Sequence, residues 1–361
     1  MCVVQIVRHL LVTKVKKPNG LRLVEERFKS NVRIGTVSSV RQVFSPLDKE
    51  WQLDKRGYSS QLAYQLIWLS GYVPFTVAQT ILEQMAQLRI SASTIWEQVQ
   101  DHGKRLQQYQ LVQQEQTSVE RTRWNQDQYD PFSQRCISID GGMVNIRGEG
   151  WKEFKVGLVS DFERRWQTDT PSIKLVNMSY TAVIGDVDLF SPALWELAVK
   201  HHVPYVGRLV AVCDGAQWIW RLVNDLFPVC TQILDWYHAR QNLAQLTHDC
   251  FPDDDQHAKQ SYQQMTDKLF RGQITDIIQF GQTHQQSTTY FHNQQRRMQY
   301  QEFQAHGFPI GSGGVESGIK QYKHRLTGAG MRWSRQGAER LIVIRSAILS
   351  DTFADLWEQV A

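Results

Sequence analysis

Three acids in the chain stand where packing alone gives no reason for them. Asp140 closes the apolar run "ISID" and is followed by Gly141 and Gly142; Asp214 closes "LVAVCD" and is followed by Gly215; Glu316 falls in the first turn of the helix expected after "GSGG". Two strands of one sheet that both finish on Asp-Gly put two carboxylates side by side at a sheet edge, where they repel unless a cation lies between them. A glutamate in a first helical turn is also favoured by the helix dipole. One Asp-Gly alone is a common turn signal, and one glutamate at a helix start needs only the dipole to explain it. All three in one segment point to a divalent-metal site whose hard oxygen donors suit Mg2+ or Mn2+ rather than a thiolate-bound metal.

The helix that carries Glu316 sorts into two faces. Ile319, Tyr322 and Leu326 fall on one side and can bury against a sheet, while Glu316, Lys320 and Lys323 share the other, as a site for a phosphate chain requires. Between residues 320 and 345, Lys320, Lys323, Arg325, Arg332, Arg335, Arg340 and Arg345 face a single acid, Glu339. Phosphate contacts dominate nucleic-acid affinity, so this clustering is more informative than total charge. Lys320, Lys323, Arg325, Arg332 and Arg335 are therefore expected to contact DNA, with Trp333 stacking on an unpaired base. For Arg340 and Arg345 a solvated helix face explains the charge equally well. Further upstream, "DWYH" places Asp235 three residues before His238, a spacing that lets the pair orient a site by hydrogen bonding; both are expected to stand behind the ligands rather than among them.

The elements needed to position these residues follow from pattern. A length of 361 residues, 42% hydrophobic and 21% charged, is that of a folded protein with two or three domains. The net charge of +4 allows a polyanionic partner without demanding one. Five cysteines without a C-x-x-C indicate neither a disulfide framework nor a zinc ribbon and fit a reducing cytosol. No run reaches the roughly 18 to 20 apolar residues of a membrane span, so no membrane partner is expected.

Residues 1–50 read as a small strand-rich piece and 51–130 as a helical module with a glutamine-rich linker. Within that module Phe75, Ala78, Ile81, Leu82 and Met85 share one face, and Thr94 with Glu97 forms a capping box opening "TIWEQVQDHGKRL". This helix reads equally as the second helix of a helix-turn-helix lying in a major groove and as a helix packed on its neighbours. Residues 131–248 and 307–361 alternate short strands and helices, giving an α/β layer with a mixed sheet. Residues 249–306, with Tyr262, Met265, Leu269, Phe270, Ile274, Ile277 and Ile278 at helical spacing, form an all-helical insertion, and a long helix is expected from about Arg335 to Leu349.

The motifs "SIDGGMV", "VCDGAQWIW", "DWYHA", "GSGGVES" and "GAGMRWS" occur in an order that resembles the DDE transposases of bacterial insertion sequences, and more narrowly the ISKra lineage, from about Ser45 to Leu349. The resemblance implies a ribonuclease-H-like core in which Asp140, Asp214 and Glu316 are catalytic and hold two Mg2+ ions, with Mn2+ able to substitute. It implies strand cleavage by water at the element's ends, then strand transfer by the exposed 3′ hydroxyl. The implied partners are double-stranded DNA, as terminal inverted repeats and target, and further copies of the chain; the implied location is the cytoplasm, at the nucleoid. Relatives often carry a zinc ribbon ahead of "FSPLD", but Val37 and Val40 stand here where a C-x-x-C falls, so the first 45 residues read as a degenerate remnant. A domesticated, catalytically dead DNA-binding protein and a nuclease without strand-transfer activity are the alternatives.

Overall fold

A computed structural model describes residues 57–118, 128–167 and 170–360. The strand-rich piece expected over residues 1–50, including Val37, Val40 and "FSPLD", lies outside the described residues. In chain order the helices are α1 Ser60–Tyr72, α2 Phe75–Ala86, α3 Ala92–Gln116, α4 Val187–Lys200, α5 Gln217–Leu226, α6 Trp236–Cys250, α7 Asp255–Phe270, α8 Ile274–Thr283, α9 Thr289–Gln294, α10 Tyr300–Ala305, α11 Gly313–Leu326, α12 Arg335–Leu349 and α13 Phe353–Val360. The strands are β1 Asp130–Ile146, β2 Gly150–Gln167, β3 Thr170–Ile184, β4 Val206–Cys213 and β5 Thr231–Leu234.

The fold class is α/β. The five strands form one mixed sheet in the order β3-β2-β1-β4-β5. β1, β2 and β3 make an antiparallel meander, joined by short connections as antiparallel neighbours can be. β4 and β5 run parallel to β1, and each is reached through a crossover helix, α4 before β4 and α5 before β5. The last four residues of β4, Val210 to Cys213, are fully enclosed, which suits an apolar run covered on both faces. Packed on the sheet, Ile137, Ile139, Val210, Val212 and Ile233 join Phe190 and Leu194 of α4 and Leu222 and Val223 of α5 in the main core.

β1 does not stop where the sequence suggests. It pairs with β2 through Asp140, Gly141 and Gly142 as far as Ile146, while its ladder to β4 ends at Ile137. Gly142 is required there because a Cβ would come within 2.4 Å of the buried Phe154 ring on β2. The far end of β1 is held by the "GMRW" loop: the Trp333 N–H donates to the Asn145 carbonyl (3.1 Å), and the Arg147 N–H donates to the Trp333 carbonyl (2.8 Å).

α11 lies across β1 and β2, and α12 against β3. Ile319, Tyr322 and Leu326 form the buried stripe of α11, while Lys320 and Lys323 are exposed, in agreement with the two-faced pattern. Each buried aliphatic of that stripe stabilises by about 1.5–3 kcal/mol. The helical insertion is present as α7 to α10, with Met265, Leu269, Ile274 and Ile277 buried in the main core.

The described residues divide into two compact units, one of 57–105 with 353–360 and one drawn from 106–352. In the first, Leu62, Leu66, Ala78, Leu82, Ile90 and Ile95 form the core. Ala78 and Leu82 are buried as expected, Phe75 and Ile81 only partly, and Met85 is 63% exposed. The capping box at Thr94 and Glu97 is replaced by an earlier start: α3 begins at Ala92, and the Thr94 N–H donates to the Ser91 hydroxyl (3.1 Å). No helix among the described residues is long and apolar enough to cross a membrane.

Candidate metal and nucleic-acid site

The acids gather at one end of the sheet because the ladders that β4 makes with β1 and with β5 both end there, while β1 itself runs on beside β2. The β1–β4 ladder ends with Ile137 beside Ala211, and three residues further along each chain stand Asp140 and Asp214. The β4–β5 ladder ends with Cys213 beside Leu234, and the next N–H, that of Asp235, donates to the Cys213 carbonyl (2.8 Å). Asp214 begins a tight turn, with its Oδ1 accepting the Ala216 N–H (3.0 Å). Gly215 takes a left-handed φ of 97° in that turn, and a Cβ on it would meet Leu234 at 2.7 Å. The two Asp-Gly pairs therefore differ: the one at Asp214 is a turn, and the one at Asp140 lies within a continuous strand.

Asp235 is wholly buried and saturated with hydrogen bonds. As the N-cap of α6 its Oδ1 accepts the His238 N–H (2.8 Å) and meets His238 Nδ1 (3.1 Å), while Oδ2 accepts the Ser312 N–H. Burial alone would raise this carboxyl, but the bonds from His238 and Ser312 outweigh it and hold its pKa below the usual value. In return the bond to Asp235 raises His238, aided by the fields of Asp235, Asp214 and Glu316. With Nδ1 given to Asp235, Nε2 is the nitrogen left for a ligand.

The Ser312 bond also delivers Glu316. Ser312 is the N-cap of α11, and the neighbouring Trp236 N–H donates to the Ile310 carbonyl (2.9 Å), so two bonds fasten the start of α11 to the end of β5. The outcome is a group of Asp235, His238 and Glu316 with ligand atoms all within 4.8 Å of one another, able to hold a metal ion. Among the described residues no other trio of His, Cys, Asp and Glu meets at that spacing. Asp140 and Asp214 do not join it so closely, but they share its field. Burial raises the Asp140 carboxyl, Asp214 raises it further, and His238 and Lys323 pull the other way.

The expected DNA contacts separate into two sets. Lys320, Lys323 and Arg332 are exposed. Arg335 is only partly exposed and pairs with Glu149. Arg325 and Trp333 are corrections: Arg325 is 1% exposed with its guanidinium 5.2 Å from the Trp333 ring centre, and the indole N–H of Trp333 donates to the Leu326 carbonyl (2.9 Å). Both are buried in the packing around α11 rather than displayed on its exposed face. Arg345 is buried as well, so a solvated face does not account for it.

Sequence reasoning missed two neighbours of the site. A groove of about 700 Å³ opens beside it, lined by Tyr237, Gly311, Gly313 and Ser317 and further off by Arg164 and Lys174. Tyr237 is 59% exposed, and its place between Asp235 and His238 was the available signal. The second is Tyr290 of α9, close enough for Asp214 and Asp235 to reinforce the upward shift that burial gives its hydroxyl. That buried hydroxyl has no hydrogen-bond partner among the described residues, and no motif in the insertion marks it. No protein-family model matches the chain, and no curated protein matches it.

Proposed function

We propose that the chain is a metal-dependent phosphoryl-transfer enzyme acting on DNA, a transposase of the DDE kind with a ribonuclease-H-like core. The observation that carries this reading is the sheet: an antiparallel meander followed by two parallel strands in the order β3-β2-β1-β4-β5, with Asp140, Asp214 and Asp235 level at one end and Glu316 supplied after a helical insertion. That order of acids along chain and sheet is what the resemblance to insertion-sequence transposases implies.

The carboxylates of Asp140, Asp214 and Glu316 offer the hard oxygen donors that suit a divalent cation of the Mg2+ or Mn2+ type, and the imidazole of His238 beside them favours the softer of the two, Mn2+. Asp140 with Asp214, and Glu316 with His238, make two donor pairs, and Asp235 keeps the His238 ring and the start of α11 in place. Bound ions supply positive charge at phosphorus and lower the pKa of the attacking oxygen. Exposed Lys320, Lys323 and Arg332 hold phosphates of the duplex at this edge, and the groove beside Tyr237 gives a displaced strand an aromatic face to stack on. Water as the attacker cuts a strand; a 3′ hydroxyl as the attacker joins it to a second duplex, with no covalent enzyme intermediate.

Asp140→Asn, Asp214→Asn and Glu316→Gln are each expected to abolish Mg2+-dependent cleavage of terminal-repeat DNA while leaving DNA binding intact. Undiminished cleavage by any one of them removes that residue from the site, and undiminished cleavage by all three removes the reading.

A further inference from the structure

A second cavity, of about 630 Å³, lies at the open edge of β5 against the helical insertion. Gln232 lines it from the strand, and His292, Asn293, Arg296 and Arg297 from the insertion. Arg297 is half-buried and held on three sides by neutral groups. Its guanidinium carbon lies 4.4 Å from the Trp220 ring centre, its Nε donates to Gln232 Oε1 (2.7 Å), and its Nη1 donates to Gln294 Oε1 (2.9 Å).

No carboxylate forms an ion pair with Arg296 or Arg297 among the described residues. Burial lowers the Arg297 pKa, and the groups that oppose this are the thiols of Cys213 and Cys230, not an acid. A cation withdrawn from water without a counter-ion is costly, and polar side chains that fix its plane leave most of its N–H groups unspent. A planar fork so prepared, with Arg296 and His292 exposed at the rim, suits an oxyanion taken in two-pronged fashion.

We infer that this cavity is a phosphate-binding site, with the Arg297 fork as its base and Arg296 at its mouth. It does not depend on the acidic pocket, yet it touches that pocket's loop: Gln294, which accepts from Arg297, donates through Nε2 to the Gly215 carbonyl (3.1 Å), next to Asp214. The phosphate is either a phosphodiester of bound DNA or a free phosphate group, and the two sources separate by experiment.

The test uses the full chain with two variants, Arg297→Lys, which keeps the charge and loses the fork, and Arg296→Ala, which alters an exposed side chain. Calorimetry with inorganic phosphate is expected to give one site in the parent chain and binding at least tenfold weaker in Arg297→Lys. Duplex binding is then measured across a salt series. A fall of about 1 in the slope of log affinity against log salt in Arg296→Ala identifies a DNA phosphodiester as the ligand, whereas Arg297→Lys keeps its charge and is expected to lower the affinity without moving the slope. An unchanged slope in Arg296→Ala with weakened phosphate binding identifies a free phosphate. Phosphate binding that is absent, or equal in parent and both variants, together with an unchanged slope, overturns the site. Melting curves for the variants guard against misfolding, with Arg296→Ala expected to melt with the parent. Asp214→Asn should lose cleavage and keep phosphate binding, so that failure of this inference and failure of the catalytic reading are distinguishable.

Discussion

Asp235, just past the end of β5, and Asp140, within β1, stand level where the ladders on either side of β4 end, yet their surroundings differ in kind. Asp235 accepts from two backbone N–H groups and meets an imidazole, and its pKa is held down. Asp140 has one contact to its own neighbour's N–H and the repulsion of Asp214, and burial pushes its pKa up. A carboxylate whose oxygens are already satisfied holds elements together; one that is partly enclosed, crowded by another acid and short of donors is arranged for a cation that arrives later. The same residue type at the same height of the sheet is thus fastened by hydrogen bonds in one place and, on the proposed function, left open to a cation in the other.

Substitution should pull these two roles apart. For Asp140→Asn the largest effect is on catalysis, with cleavage lost and the unfolding midpoint unchanged or slightly raised, since removing one of two like charges relieves repulsion. For Asp235→Ala the largest effect is on stability, because it strands the Ser312 and His238 N–H groups and frees the start of α11. A loss of about 3 kcal/mol is expected in urea unfolding, with cleavage falling alongside as Glu316 loses its place. If Asp235→Ala melts with the parent chain, Asp235 is not the anchor. If Asp140→Asn unfolds as easily as Asp235→Ala, the contrast between them fails.

His238 stands between the two roles, since it leans on Asp235 through Nδ1 and offers Nε2 outward. His238→Ala is expected to weaken Mn2+ binding by roughly tenfold or more, measured by calorimetry on the full chain. Affinity equal to the parent's would leave the carboxylates alone to hold the ion.

Much of this was legible in the sequence where one period dominated. The stripe Ile319, Tyr322 and Leu326 announced which face of α11 is buried, and α12 spans Arg335–Leu349 as its pattern indicated. Arg325 was read by its charge, although it lies three residues after Tyr322 on the buried side; position on the helix outweighed residue type. Gly141 and Gly142 were read as the end of a strand, because glycine usually interrupts one. Here Gly142 marks a close approach to Phe154 and the strand continues. The placement of Glu316 beside His238 was not legible at all. It rests on the Ser312 and Trp236 N–H groups, and a backbone donor carries no residue-specific signal.

The contrast between satisfied and unsatisfied buried groups extends to the other unit, where it has a pH signature. His102 on α3 is 1% exposed and stacks on Trp357 of α13 with ring centres 4.5 Å apart, and neither ring nitrogen has a hydrogen-bond partner among the described residues. Burial first, and Arg105 second, lower its pKa to about 3. An unfolded histidine titrates near 6.5, so below that pH the unfolded chain takes up a proton that the folded unit refuses. The stability present above about pH 6.5 is therefore lost as pH falls, at roughly 1.4 kcal/mol per pH unit, or about 2 kcal/mol by pH 5. His102→Phe keeps a ring against Trp357 and removes the titration, so in urea unfolding at pH 7 and pH 5 the variant should lose about 2 kcal/mol less than the parent between the two conditions. Equal losses would mean that His102 finds a partner for its proton, and that its burial is not the open kind seen at Asp140.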